Sequence, residues 1–396
     1  MKRRDFIKSS ALASSLFFVP GFIKAMDAQL RLPKGFKRLV IIQLAGGNDG
    51  LNTIIPFRND IYYRERPSIA IKKKDVIALN SELGFHKNLA PLKSLYDAGE
   101  LTIINNVGYP NPNRSHFRST DIWHTASASN ELLKEGWIGR YLDSYGDKPY
   151  NAIEIGNSLS LIMQGKQQNG VVARDAAMLN KIAGDPYFTQ LLEYNRDQHL
   201  SEHNMGYLYQ TMIDAKQSAD YIYEKTRVTR STFDYGNSNF GKQMKTLAEF
   251  INSQLDTRIY YAALAGFDTH ANQKDQQDSL LKTYADGVST LVADLKANGT
   301  FNDTLILTFS EFGRRVAQNA AKGTDHGAAN NVFVIGKNLK TPGLFNQAPD
   351  LQNLDPNGDL VFEIDFRRIY ANLMEEWLDV PSSSLISETM EPLHII

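Results

Sequence analysis

The sequence predicts an α/β fold: a mostly parallel central sheet with helices on both faces and one helical insertion. Three observations carry this. Apolar runs of strand length recur along the chain, helical patterns separate them, and polar turn-rich loops follow several of the runs. The first run is Arg38 to Leu44, and it ends in Ala45-Gly46-Gly47-Asn48-Asp49-Gly50. Such a run suits a strand buried on both faces. Residues 89–98 place Leu89, Leu92, Leu95 and Tyr96 at helical spacing, and Gly99 stands where a helix would stop. Leu101 to Val107 follows as a second strand, completing a strand–helix–strand unit. The second half repeats this order, with a helix over 241–255, a strand over 258–264 and a long helix over 273–297. Strands over 304–309 and 331–335 and a closing helix over 365–378 complete the pattern. Between about 160 and 235 the strand signal fades into a polar, Tyr-rich helical pattern (Tyr187, Tyr194, Tyr207, Tyr209, Tyr221, Tyr223). No Pro- or Ser-rich linker brackets that stretch, so it reads as an insertion in a single domain spanning 38–396.

Composition narrows the function classes. The 396 residues carry a net charge of −1, which gives no footprint for nucleic acid or a polybasic membrane surface. There is no cysteine, which excludes disulfides, thiolate metal sites and cysteine nucleophiles. Residues 1–28 read as an export signal. Arg3 and Arg4 precede Phe6-Ile7-Lys8, and Ala11 to Ile23 is apolar but short for a bilayer span. The paired arginines resemble a twin-arginine signal, so the expectation is delivery by that machinery to a periplasmic or extracytoplasmic location. An uncleaved amphipathic helix is the plainer alternative. No later stretch reaches 18 apolar residues, so no stable span is expected in the mature form.

The chemistry-bearing residues cluster at strand ends. G-x-S-x-G, the phosphate-loop motif and H-E-x-x-H are all absent. The Gly46-Gly47-x-x-Gly50 loop lacks dinucleotide-site spacing. Asp49 follows the first strand, Asp268 and His270 follow the 258–264 strand, and Glu311 and Arg314 follow the 304–309 strand. Asp325 and His326 lie just before the 331–335 strand. Carboxylates and imidazoles gathered at the carboxyl edge of a sheet suit a hard or borderline divalent metal: zinc, manganese or magnesium, as one or two ions. Each residue also has a plainer reading. Asp49 could be a turn residue, Asp268 a helix cap, Glu311 a partner of a nearby arginine, and His326 a solvated loop histidine. Arg114-Ser115-His116 follows the second strand and opens a helix. Ser115 could be a simple N-cap, or a nucleophile whose alkoxide is favoured by the helix terminus and a nearby cation. Arg114 or Arg314 could grip a tetrahedral oxyanion, and His116 could be a ligand, a proton donor or a packed ring.

These motifs, taken in order, carry a family resemblance over essentially the whole mature chain. The run from Leu44 to Thr53, Arg114-Ser115-His116-Phe117, Gly266-Phe267-Asp268-Thr269-His270, Ser310-Glu311-Phe312-Gly313-Arg314 and Asp325-His326-Gly327 resemble the family named domain of unknown function 1501. That family is similar to the alkaline phosphatase and sulfatase superfamily. The resemblance implies an alkaline phosphatase-like three-layer sandwich and a divalent-metal site at the sheet edge. It also implies hydrolysis of phosphate or sulfate esters through Ser115. Under it, Asp49, Asp268, His270 and His326 resemble metal ligands, and Glu311 stands at the carboxylate of a second metal position. The sequence departs from the superfamily pattern at two places: Asp268 and His270 are two apart rather than four, and Phe312 replaces an imidazole. Loss of that imidazole leaves either one metal or a second site completed by Asp325 or His116. The expected function is therefore an exported metal-dependent hydrolase acting on a small anionic ester or glycan. The competing expectation is a non-catalytic envelope binding or assembly protein that keeps the fold, with a polysaccharide as its ligand.

Overall fold

The computed structural model describes residues 32–33, 35–186, 190 and 204–396. Residues 1–28, where an export signal is expected, and Tyr187 and Tyr194 lie outside the described residues. The central sheet has nine strands. They are β1 (Arg38–Ala45), β5 (Leu101–Gly108), β6 (Ala152–Ile155), β7 (Val171–Ala173), β8 (Ile259–Ala265), β9 (Thr304–Phe309), β10 (Asn330–Ile335), β11 (Gly343–Leu344) and β12 (Ile364–Asp365). A separate three-stranded sheet is formed by β2 (Ile54–Ile55), β3 (Val76–Ala78) and β4 (Gly84–His86). The order in the large sheet is β11-β5-β10-β9-β1-β8-β6-β7, with β12 paired to β5.

Direction matters more than order for the site. β1 pairs in parallel with β8 and β9, and β6 pairs in parallel with β8 and β7. β10 runs antiparallel to both β9 and β5. Reversing direction twice leaves β5 pointing the same way as β1 and β9. The carboxyl ends of β1, β5, β8 and β9 therefore share one edge with the amino end of β10. Residues just after the first four strands, and those just before β10, are brought to a single rim.

Burial on both faces explains the apolar runs. Along β1, Val40, Ile42 and Leu44 enter one core cluster while Leu39 and Ile41 enter another. The first cluster is completed by helices α3 (Asn239–Asn252) and α4 (Gln273–Ala297) with α1 (Ala90–Asp97), the second by α2 (His116–Thr125) and α5 (Phe366–Asn372). Layers of helix, sheet and helix result, the mixed and mostly parallel arrangement that the sequence predicts. The stretch from 160 to 235 contains described helices at Ala176–Ala183 and Asn204–Thr226 and also supplies edge strand β7. Among the described residues, no helix is long and apolar enough to cross a membrane.

A candidate metal centre at the carboxyl edge of the sheet

Three side chains from three different strand ends meet at this rim. One ligand atom each from His116, Asp268 and His326 lies within 4.8 Å of the other two. His116 opens α2 after β5, Asp268 lies three residues past β8, and His326 lies four residues before β10. The antiparallel direction of β10 is what returns His326 to the edge where the parallel strands end.

The outward nitrogens of both imidazoles fix the inward ones. Nδ1 of His326 is 2.7 Å from the Arg114 carbonyl oxygen, which can only accept, so this nitrogen carries the proton. Nδ1 of His116 is 3.0 Å from Glu311 Oε1 and donates to that carboxylate. In their neutral forms both rings then turn an Nε2 lone pair toward Asp268 Oδ1, at 3.3 Å from His116 and 3.2 Å from His326. His116 Nε2 is buried and has no hydrogen-bond partner. Two lone pairs facing a carboxylate oxygen repel one another unless a proton or a cation lies between them. A carboxylate and two imidazoles, each imidazole anchored through its far nitrogen, is a donor set that fits a divalent ion such as zinc or manganese. His270 Nδ1, 2.9 Å from the same Asp268 oxygen, lies beside it as a further imidazole.

The electrostatics agree with this geometry. Burial works against the charged form of Asp268, but Arg314, His326 and His270 outweigh it and hold the carboxyl well below its usual range. The Glu311 hydrogen bond raises His116 above its ordinary value against the opposing pull of burial. Burial lowers His326, despite its bonds to the Arg114 carbonyl and Asp268. Phe312 packs its ring against both imidazoles, with centroids 4.9 Å from His116 and 4.6 Å from His326. Where the resemblance implies an imidazole of a second metal position, this chain has an aromatic wall.

Other residues expected at the site occupy different places. Asp49 is wholly buried, and its Oδ2 accepts from Arg66 Nη1 at 2.6 Å and from Gln273. Its other oxygen, Oδ1, is buried without a hydrogen-bond partner, and Asp49 is not one of the three converging groups. Arg66 also reaches Asn52 and the carbonyls of Arg315 and Val316, so the pair ties three loops together. Arg314 is buried too. Its guanidinium donates to the carbonyls of Gly46, Gly47, Phe267 and Thr324 as well as to Asp268. With its donors so engaged, it orients Asp268 and braces the loops rather than facing an oxyanion. The Arg114 side chain is drawn to Asp359, with Nε at 2.7 Å from Oδ2, and to Asp355. Asp325 is exposed and accepts from Asn319, outside the triad. Glu311 touches His116 but is not one of the three converging groups.

Ser115 occupies the N-cap position of α2 with an exposed side chain that makes no capping bond. It sits between Arg114, whose carbonyl holds His326, and His116, which is in the triad. The first intrahelical bond runs from Ser119 N to the Ser115 carbonyl at 2.9 Å, leaving the amides of His116, Phe117 and Arg118 ahead of the ladder. Sequence reasoning did not single out Gln43, His124 and Tyr261, which form a buried polar chain behind Glu311. The one available signal was a glutamine inside an otherwise apolar strand run.

The family model described as protein of unknown function (DUF1501) matches residues 96–354, nearly two thirds of the chain. The chain belongs to that family. The match includes Ser115, His116, Asp268, Glu311 and His326 and leaves out Asp49. No curated protein matches the chain. Among solved structures, similarity is found to the C-terminal periplasmic domain of EcEptC from Escherichia coli in complex with zinc. That pair shares 12% identity at a TM-score of 0.38, over 76% of this chain and 73% of the other. The lipoteichoic acid synthase LtaP from Listeria monocytogenes matches at 11% identity and a TM-score of 0.36, over 79% and 70%. The PsFucS1 sulfatase from Pseudoalteromonas sp. matches at 13% identity and a TM-score of 0.35, over 81% and 66%.

Proposed function

We propose that this family member is an exported hydrolase of phosphate or sulfate esters that uses Ser115 as nucleophile beside one divalent cation. His116, Asp268 and His326 are the residues that would hold the ion, with His270 at hand as a fourth donor. The observation that carries the reading is the pair of anchored imidazoles whose inner nitrogens face one carboxylate oxygen. When bound, such an ion would supply positive charge for an attacking oxygen and for an anionic ester. The chain's own contribution is positional. The start of α2 presents the Ser115 hydroxyl at the rim, and the free first-turn amides of the same helix would donate to the anionic group. That anion-holding role passes to the helix terminus because both candidate arginines are engaged elsewhere. Residues 1–28 carry the export assignment.

A second reading is favoured by Phe117, which is 86% exposed on the turn that carries Ser115. A bare aromatic ring at the rim suits stacking on a sugar, so the ligand of a non-catalytic protein would be an envelope polysaccharide. One experiment separates the two. Native protein loaded with zinc or manganese is assayed on p-nitrophenyl phosphate and p-nitrophenyl sulfate beside Ser115→Ala. Turnover that Ser115→Ala abolishes while keeping its metal supports the hydrolase. Metal binding without turnover of either ester, together with retention on a glycan column that Phe117→Ala loses, supports the binding protein.

A further inference from the structure

We infer that Gln43, held by Tyr261 and His124, is a positioning residue that acts through Glu311 to fix which nitrogen of His116 carries its proton. This rests on the reading of His116, Asp268 and His326 as a cation centre. The chain of contacts is continuous and buried. Tyr261 donates its hydroxyl to Gln43 Oε1 at 2.5 Å, and His124 Nε2 lies 3.1 Å from the same oxygen. Gln43 Nε2 donates to Glu311 Oε2 at 3.3 Å. The other carboxylate oxygen accepts from the Gly46 amide at 2.8 Å and meets His116 Nδ1 at 3.0 Å. Gln43, Tyr261, His124 and Glu311 are each no more than 4% exposed.

The amide of Gln43 has only one workable orientation. Turned over, it would set its carbonyl oxygen against the Glu311 carboxylate, which can only accept. In a buried site that mismatch cannot be relieved by water. A fixed Gln43 stops Glu311 from rotating, and Gly46 grips the carboxylate from the β1 side. Glu311 then presents an acceptor to His116 Nδ1, so the proton stays there and Nε2 is offered to the centre. This departs from the role implied for Glu311 by the family resemblance. The carboxylate orients a ligand rather than serving as one, in the manner of outer-shell groups whose loss typically weakens metal binding by about 10–100-fold.

The test reads the tautomer and the metal separately. Long-range nitrogen–proton NMR on metal-free protein, at a pH where the ring is neutral, should show His116 protonated at Nδ1, with His116→Gln assigning the signal. Gln43→Leu should shift that signal toward the Nε2-protonated form. Tyr261→Phe should shift it partly; it removes one hydroxyl without opening a cavity and keeps the test valid if Gln43→Leu fails to fold. Titration calorimetry with zinc and with manganese should show affinity falling about 10–100-fold in Gln43→Leu. In a Glu311→Ala background the same change should add less than about twofold, because the intermediary is gone. An unchanged His116 signal in both variants would overturn the inference, as would a full loss of affinity that persists without Glu311. A wild-type protein that binds neither metal would refute the cation centre, yet the tautomer measurement would still decide the role of Gln43.

Discussion

Arg314 joins the centre to its scaffold at the level of a single side chain. Its guanidinium serves four backbone carbonyls and one carboxylate, which no other side chain can match in number or geometry. Arg314→Met should leave those carbonyls unpaired in a buried loop and cost about 3 kcal/mol or more, read by urea unfolding. Arg314→Lys should recover little of that loss, since one ammonium cannot span the same acceptors. His124 offers a different test, because it lies behind the centre. It is wholly enclosed, and burial pushes it down to about 3. The unfolded chain takes up this proton near the ordinary histidine value and the folded chain does not. Its contribution is therefore fully present above about pH 6.5 and is lost as the pH falls toward 3. Stability should drop with a slope of up to about 1.4 kcal/mol per pH unit from this group, and His124→Gln should flatten the slope between pH 6 and 4. An unchanged slope in the variant would remove His124 from the acid sensitivity.

Strand ends and the loops leaving them place the centre. Gly46 leaves β1 at φ +117°, and a Cβ there would lie 2.5 Å from the Asp268 backbone nitrogen. Its amide holds Glu311 and its carbonyl accepts from Arg314. Gly46→Ala should therefore cost more than about 1 kcal/mol and push the Asp268 loop outward. Calorimetry should register the displacement as weakened metal binding. A variant with wild-type affinity would mean that the loop positions of Gly46 and Asp268 are not coupled.

Elements of this kind were partly legible in the sequence. Helix 273–297 and strand 304–309 have the bounds that the apolar pattern predicts, since periodicity and burial coincide there. Strand direction was not legible, because an apolar run looks alike in parallel and antiparallel pairing. The small sheet of β2, β3 and β4 was missed for another reason: strands of two or three residues carry too little pattern to read.

At the scale of the whole molecule, six of the nine strands lie buried between two helical layers, and the sheet delivers distant residues to one rim. The three members of the centre span more than two hundred residues of sequence, from His116 to His326, yet topology alone brings them together. That convergence was legible at Asp268 and His326 because both flank strands with unmistakable apolar runs. The fate of Asp49 was not, because its partner Arg66 lies in a stretch with no periodic pattern. The roles of Arg114 and Arg314 were hidden likewise, since a guanidinium's partners are set by tertiary contacts. If a metal binds only the folded chain, it should raise the unfolding midpoint. At a hundred times its dissociation constant the gain is about 2.7 kcal/mol.

Elemental analysis of the natively purified protein, run in parallel for wild type, His326→Ala and Asp268→Asn, tests the central claim most directly. The account predicts close to one equivalent of a divalent metal in the wild type and loss of that metal from both variants. A wild type without metal, or variants that retain it in full, would contradict a centre built from His116, Asp268 and His326.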